Sequence, residues 1–99
     1  ENRFDLVIML AVIHHLLLSA QIPMHEIAAL VSKITAKDLI IEWVEPEDAK
    51  FRQILRGRHD IYAHLSRELF EQTFARHFTI QKQEKLPDLP RVIYWMRKK

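Results

Sequence analysis

The chain has 99 residues, 48% of them hydrophobic and 28% charged, with a formal net charge of +2. That balance belongs to one folded portion with a single core and excludes a disordered or fibrous chain. It also disfavours a nucleic-acid partner, because the basic residues are dispersed except for Arg97-Lys98-Lys99, and such a partner needs them clustered on one surface.

With no cysteine, disulfides and thiolate metal sites are excluded, which suits a cytoplasmic protein. The chain opens on Glu1 and enters an apolar stretch at once, which reads as a fragment boundary rather than a signal peptide. Its longest unbroken apolar run, Leu6 to Ile13, is far shorter than the ~18 to 20 residues that cross a bilayer, so no membrane partner is expected. Gly57 is the only glycine. A glycine-rich nucleotide loop cannot be built from this sequence.

Leu6 to Leu10, preceded by Phe4-Asp5, is a continuous apolar run and predicts a central strand covered on both faces in a parallel sheet. Pro23 suits the first turn of a helix, in which Ile27, Leu30, Val31 and Ile34 recur at helical spacing until Thr35-Ala36-Lys37-Asp38 breaks the pattern. Leu39 to Val44 predicts a second buried strand, ended by Glu45-Pro46. Strand, helix and strand form a right-handed crossover unit with parallel strands, and ligands then bind at their C-terminal ends.

Glu47 to Leu55 predicts a short helix, and Arg56 to Asp60 an exposed turn. Ser66 is an N-cap, flanked by Leu65 and Phe70 as a hydrophobic staple, for a helix over Arg67 to Arg76 that buries Leu69, Phe70, Thr73 and Phe74. Phe78-Thr79-Ile80 begins another strand, Pro87 and Pro90 mark a connection, and Val92 to Met96 is the last strand. No crossover helix fits between these two strands, so they form an antiparallel hairpin.

This α/β order resembles the C-terminal half of class I, Rossmann-like, S-adenosylmethionine-dependent methyltransferases. Phe4-Asp5-Leu6 through His14-His15-Leu16 looks like that family's fourth strand and following loop. Leu39 to Val44 is similar to its fifth strand, and Leu65-Ser66-Arg67-Glu68-Leu69-Phe70 to the entry into its last long helix. His77-Phe78-Thr79-Ile80 looks like the turn into the sixth strand, and Arg91 to Arg97 like the seventh. The resemblance covers essentially all 99 residues and rests on the ordered set of segments, not on one motif. It implies a sheet of order 4-5-7-6 in a single portion spanning 1–99. The N-terminal cofactor-binding half, with its first strand, glycine-rich loop and acidic ribose ligand, has no counterpart here.

The implied function is methyl transfer from S-adenosylmethionine to an unidentified acceptor by the intact parent protein, with the 99 residues inactive alone. Such a reaction is an in-line displacement in which the protein chiefly aligns the reactants, and a base helps a protonated acceptor. His14 and His15 stand at the end of the first strand as candidate catalytic residues; the alternative for each is a structural hydrogen bond. By resemblance, Leu10 and Ala11 border the methionine part of the cofactor. Glu42, Trp43 and Glu45, at the end of the second strand, are candidates for the acceptor pocket, although Trp is more often core. Arg58 and Tyr62 fall in the segment that resembles the family's variable substrate cover. No metal site is expected, since adjacent histidines do not readily share an ion and no HExxH spacing occurs.

The rival reading is a non-catalytic methyltransferase-like module for self-association or partner binding. It draws on the strand Leu6 to Leu10, which lacks the neighbour it has in the complete family. That strand is expected to pair with a second copy.

Overall fold

Every strand alternates its side chains between two faces, and in this sheet one face packs against the helices to form the core. In the computed structural model, which describes residues 3–18, 20–45 and 66–99 apart from the side chains of His14 and Leu18, β1 is Phe4–Met9. It is followed by α1 (Ile13–Leu18), α2 (Met24–Ile34) and β2 (Thr35–Val44). After the undescribed stretch come α3 (Arg67–Phe74), β3 (Phe78–Lys85) and β4 (Arg91–Lys98). The four strands form one sheet in the order β1-β2-β4-β3. β1 and β2 are parallel, while β4 lies antiparallel to both β2 and β3. This is the expected 4-5-7-6 arrangement, with the last strand inserted between its two predecessors.

Leu39, Ile41 and Trp43 of β2 share the inner face with Met96, Tyr94 and Val92, to which they pair directly. All six are buried. Ile27, Ala28 and Val31 of α2 and Phe70 and Phe74 of α3 close over that face, with Ile13 and Leu17 of α1 completing the core. Phe70 is the hub of an aromatic cluster, its ring centroid 5.1 Å from Trp43, 4.8 Å from Phe74 and 5.2 Å from Tyr94. Burial, followed by the hydrogen bond that Tyr94 donates to Glu71, pushes the phenol above its ordinary titration range.

The cap expected at Ser66 is present: its Oγ accepts from the Leu69 N–H at 3.0 Å, satisfying one of the otherwise orphaned amides of the first turn. Ser66→Ala is therefore expected to destabilise the chain by about 1 kcal/mol, measurable as a shift in the urea midpoint. Ser66→Asp, which restores an acceptor, should recover most of that loss.

The structure departs from the sequence reading at five places, the first being Leu30, read on the apolar stripe of α2 with Ile27 and Val31 but exposed at its margin. The chain after β1 is not simply a loop, because α1 forms there by burying Ile13 and Leu17, one helical turn apart. Thr35 to Asp38 do not separate helix from strand but are the first residues of β2. Thr35 makes the switch possible: it is buried, and both its backbone N–H and its hydroxyl donate to Val31 O, the latter at 2.7 Å. β1 is covered on its inner face alone, where Val7 and Met9 pack on the core, while Phe4, Leu6 and Ile8 are exposed. Finally, α3 ends at Phe74 rather than Arg76. The helix expected at Glu47 to Leu55, the turn at Arg56 to Asp60, and Leu65 lie outside the described residues. Among the described residues no helix is long and apolar enough to cross a membrane.

Candidate functional site

Because β1 and β2 are parallel and β4 runs against them, the ends of β1 and β2 meet the start of β4 at one end of the sheet. Val44 pairs with Arg91 there, and the Glu45 N–H donates to Pro90 O at 2.9 Å. This is the end at which an open α/β sheet places its ligands. It gathers Leu10 and Ala11 after β1, His14 and His15 in α1, and Glu42, Trp43 and Glu45 at the end of β2.

Ala11 turns the chain out of β1 with φ at 57°. An alanine in the left-handed region costs about 1 to 2 kcal/mol, and such strain collects where backbone must be aimed at a ligand. Leu10, beside it, is exposed. The sequence gives no sign of this turn, since the residue that ordinarily takes a positive φ is glycine.

His15 lies in the first turn of α1 with its side chain exposed. Its N–H donates to Val12 O at 2.9 Å and its carbonyl accepts from Ala20 N at 3.0 Å, so its backbone is held at both sides. His14 is the preceding residue of the same helix.

Glu42 is buried on the opposite face of β2 from Trp43, with Oε1 3.6 Å from Arg91 Nη1 and no hydrogen bond to that oxygen among the described residues. A buried carboxylate is tolerated only beside a compensating cation, and Arg91 supplies it. Trp43 differs from its expected place on a pocket wall. Its ring is fully buried on Phe70, because the two-residue repeat of the strand turns it toward the helices. Only its indole N–H reaches the strand end, donating to Glu45 Oε1 at 3.1 Å. Glu42 and Trp43 therefore do not line one pocket together. Arg58 and Tyr62 lie outside the described residues.

A second polar group, at the start of β2, escaped sequence reasoning. Asp38 accepts from Trp95 Nε1 at 2.9 Å and from Arg97 Nε at 3.3 Å, and the Arg97 guanidinium lies 5.6 Å from the Trp95 ring centroid. The indole hydrogen bond first, then Arg97, holds the Asp38 carboxyl below the usual carboxylate range against a partly opposing desolvation. Only the β2/β4 register, which sets Asp38 opposite Arg97, reveals this group.

S-adenosylmethionine, implied by the resemblance, is matched in part. The exposed strand end at Leu10 and the turn at Ala11 fit the methylene groups of the methionine part, and its charged amino and carboxylate groups have no counter-charge assigned among the described residues. At the same end, Glu42 is already paired with Arg91 and Glu45 with Trp43, so neither is an uncommitted carboxylate for ribose hydroxyls. The adenosine side does not fit the described residues. Among them no group of three or more His, Asp or Glu is placed to hold a metal ion.

No family model matches the chain. It is 32% identical over 96 residues to nodulation protein NoeA of Rhizobium meliloti (strain 1021), covering 95% of this chain and 20% of that protein. Among solved structures it is similar to N-methyltransferase NodS from Bradyrhizobium japonicum WM9, with TM-score 0.63 and 18% identity. That match covers 99% of this chain and 52% of NodS. It is also similar to magnesium protoporphyrin IX methyltransferase (ChlM) from Synechocystis PCC 6803 with bound SAH, with TM-score 0.62 and 15% identity. There the coverage is 100% of this chain and 46% of ChlM. The chain thus spans about a fifth of the curated relative and about half of each methyltransferase structure. With its last strand inserted antiparallel between the two before it, the chain has the fold of the C-terminal half of a Rossmann-like S-adenosylmethionine-dependent methyltransferase.

Proposed function

We propose that this chain is the acceptor-side half of an S-adenosylmethionine-dependent methyltransferase, working on an unidentified acceptor together with a cofactor-binding half. The observation that supports this most is the antiparallel β4 held between β2 and β3, in a fold shared over the whole chain with two methyltransferases. In this reading Leu10 and Ala11 border the methionine part of the cofactor, and His14 and His15 are the candidate catalytic residues of the helix that follows. Glu42 and Glu45, with Arg58 and Tyr62 from the substrate cover, shape the acceptor side. Trp43 contributes by fixing Glu45 through its indole N–H. The cysteine-free composition suits the cytoplasm.

The decisive assay is transfer of a labelled methyl group by a protein that carries this segment behind a glycine-rich cofactor half. Label in product supports the reading. Cofactor binding without transfer to any amine, hydroxyl or carboxylate acceptor would replace it with the non-catalytic module.

The isolated 99 residues are expected to bind S-adenosylmethionine with Kd weaker than ~1 mM, because the sequence has no glycine-rich loop and the described residues at the sheet end offer the adenosine no uncommitted carboxylate. Calorimetric titration measures this directly. A micromolar Kd would show that the described strand ends carry the cofactor by themselves.

A further inference from the structure

The basic residues are dispersed in the sequence, but the fold gathers a group of them at the end of the sheet opposite the candidate site. At that end α2 runs into β2, α3 turns into β3, and β4 finishes. Lys33 lies in the last turn of α2, Lys37 near the start of β2, Arg76 after α3, and Arg97, Lys98 and Lys99 at the close of β4. All of them but the half-buried Lys98 are exposed. Lys98 Nζ donates to Ser32 O at 2.9 Å and the Lys99 N–H to His77 O at 3.0 Å, so the end of β4 is tied to α2 and to the turn after α3. β2 and β4 are the interior strands of the sheet, and the patch therefore belongs to the folded body rather than to an edge.

The register that sets Asp38 opposite Arg97 places Lys37 beside Lys98. Like charges so placed across a strand ladder cost stability, a cost that a bound anion offsets. With Ala36, Asp38 and Arg97, these two lysines line an open recess of about 340 Å³. Among the described residues the acids of this end are Asp5 and Asp38, and Asp38 is engaged by Trp95 and Arg97. Positive charge is left in excess.

We propose that this end of the sheet docks an acidic protein segment, one of whose carboxylates enters the recess between Lys37 and Lys98. The inference goes beyond the methyl-transfer reading and does not depend on it.

Charge complementarity sets the sign of the partner, because a recess lined mainly by one sign of charge concentrates the other. The position of Asp38 sets its class. A nucleic acid carries a phosphate charge about every 1.7 Å of duplex axis and would press that charge against Asp38 as well as against the lysines. A peptide instead places single carboxylates at the cations and has backbone N–H groups to offer Asp38. Contacts of this polar kind, without a buried aromatic anchor, set the expected Kd on the order of 100 µM.

Fluorescence anisotropy of a short labelled oligoglutamate peptide, titrated with the chain, should show saturable binding that weakens about five-fold between about 50 and about 200 mM salt. Lys37→Glu, at an exposed site in the recess, should weaken binding by about ten-fold. Lys85→Glu, at the exposed far end of β3, makes the same change in net charge and should leave Kd within about two-fold. The absence of saturable binding, equal effects of the two substitutions, or tighter binding of duplex DNA or phosphatidylserine vesicles than of the peptide would each overturn the proposal. If Lys37→Glu does not fold, amide chemical shifts of the native chain decide. Peptide-induced changes confined to the start of β2 and the end of β4 support docking there, and changes spread over the surface refute it.

Discussion

Phe70→Ala is expected to lose about 3 to 5 kcal/mol of stability, the usual cost of deleting a buried aromatic ring. The position is severe for three reasons. The ring is fully buried, it touches Trp43, Phe74 and Tyr94 at once, and it packs α3 on both β2 and β4. Each aromatic pair adds roughly 0.5 to 1.5 kcal/mol beyond burial, so losing all three with one substitution leaves a cavity with rigid walls. A chain of this size holds only about 5 to 15 kcal/mol in total. Urea denaturation should show a midpoint lowered by about a fifth or more at unchanged slope, and Phe70→Leu should recover about half the loss. Leu30→Ala, at an exposed site of α2, should stay within ~0.5 kcal/mol. A Phe70→Ala chain as stable as the parent would mean that α3 is not part of the core.

The same cluster shows why most of the fold is legible in the sequence. Ile27 and Val31, or Phe70 and Phe74, are four residues apart, and that spacing alone names a helix and its buried side. Val92, Tyr94 and Met96 alternate strictly and are all buried, so β4 declares both its type and its inner face. The hairpin follows because too little chain separates its strands for a crossover. What escapes notice is decided by partners distant in sequence. Thr35 to Asp38 read as a break because Lys37 and Asp38 are polar; they extend as strand because β1 and β4 flank them. α1 is too short to show a period, and its helicity depends on the place waiting for Ile13 and Leu17 in the core. Of the candidate site, the placement of Leu10, Ala11, His15 and Glu45 at one sheet end was legible from strand polarity. The sharing of Glu42 with Arg91 was not, since those residues meet only through the antiparallel register.

In a protein that joins this segment to a cofactor-binding half, His15→Ala is expected to lower kcat by about 100-fold, the lower end of what a positioned base contributes. KM for S-adenosylmethionine should stay within about two-fold if the imidazole has its proposed place beside the acceptor and not beside the cofactor. β1 stops at Met9, the left-handed turn at Ala11 redirects the chain, and α1 starts at Ile13 with His15 in its first turn. Hydrogen bonds from His15 N to Val12 O and from Ala20 N to His15 O fix that turn, while burial of Ile13 and Leu17 anchors the helix to the core. The side chain is thus exposed at the sheet end from a rigid base, as alignment of an in-line displacement requires. The side chain is exposed, so its removal should shift the urea midpoint by the equivalent of at most about 1 kcal/mol, far less than the loss of turnover. Added imidazole should restore part of the lost turnover, since it supplies the same base from solution; a purely structural histidine would not be rescued in this way. A variant that loses stability but keeps its turnover per folded molecule would remove His15 from the chemistry and leave it a helix residue only.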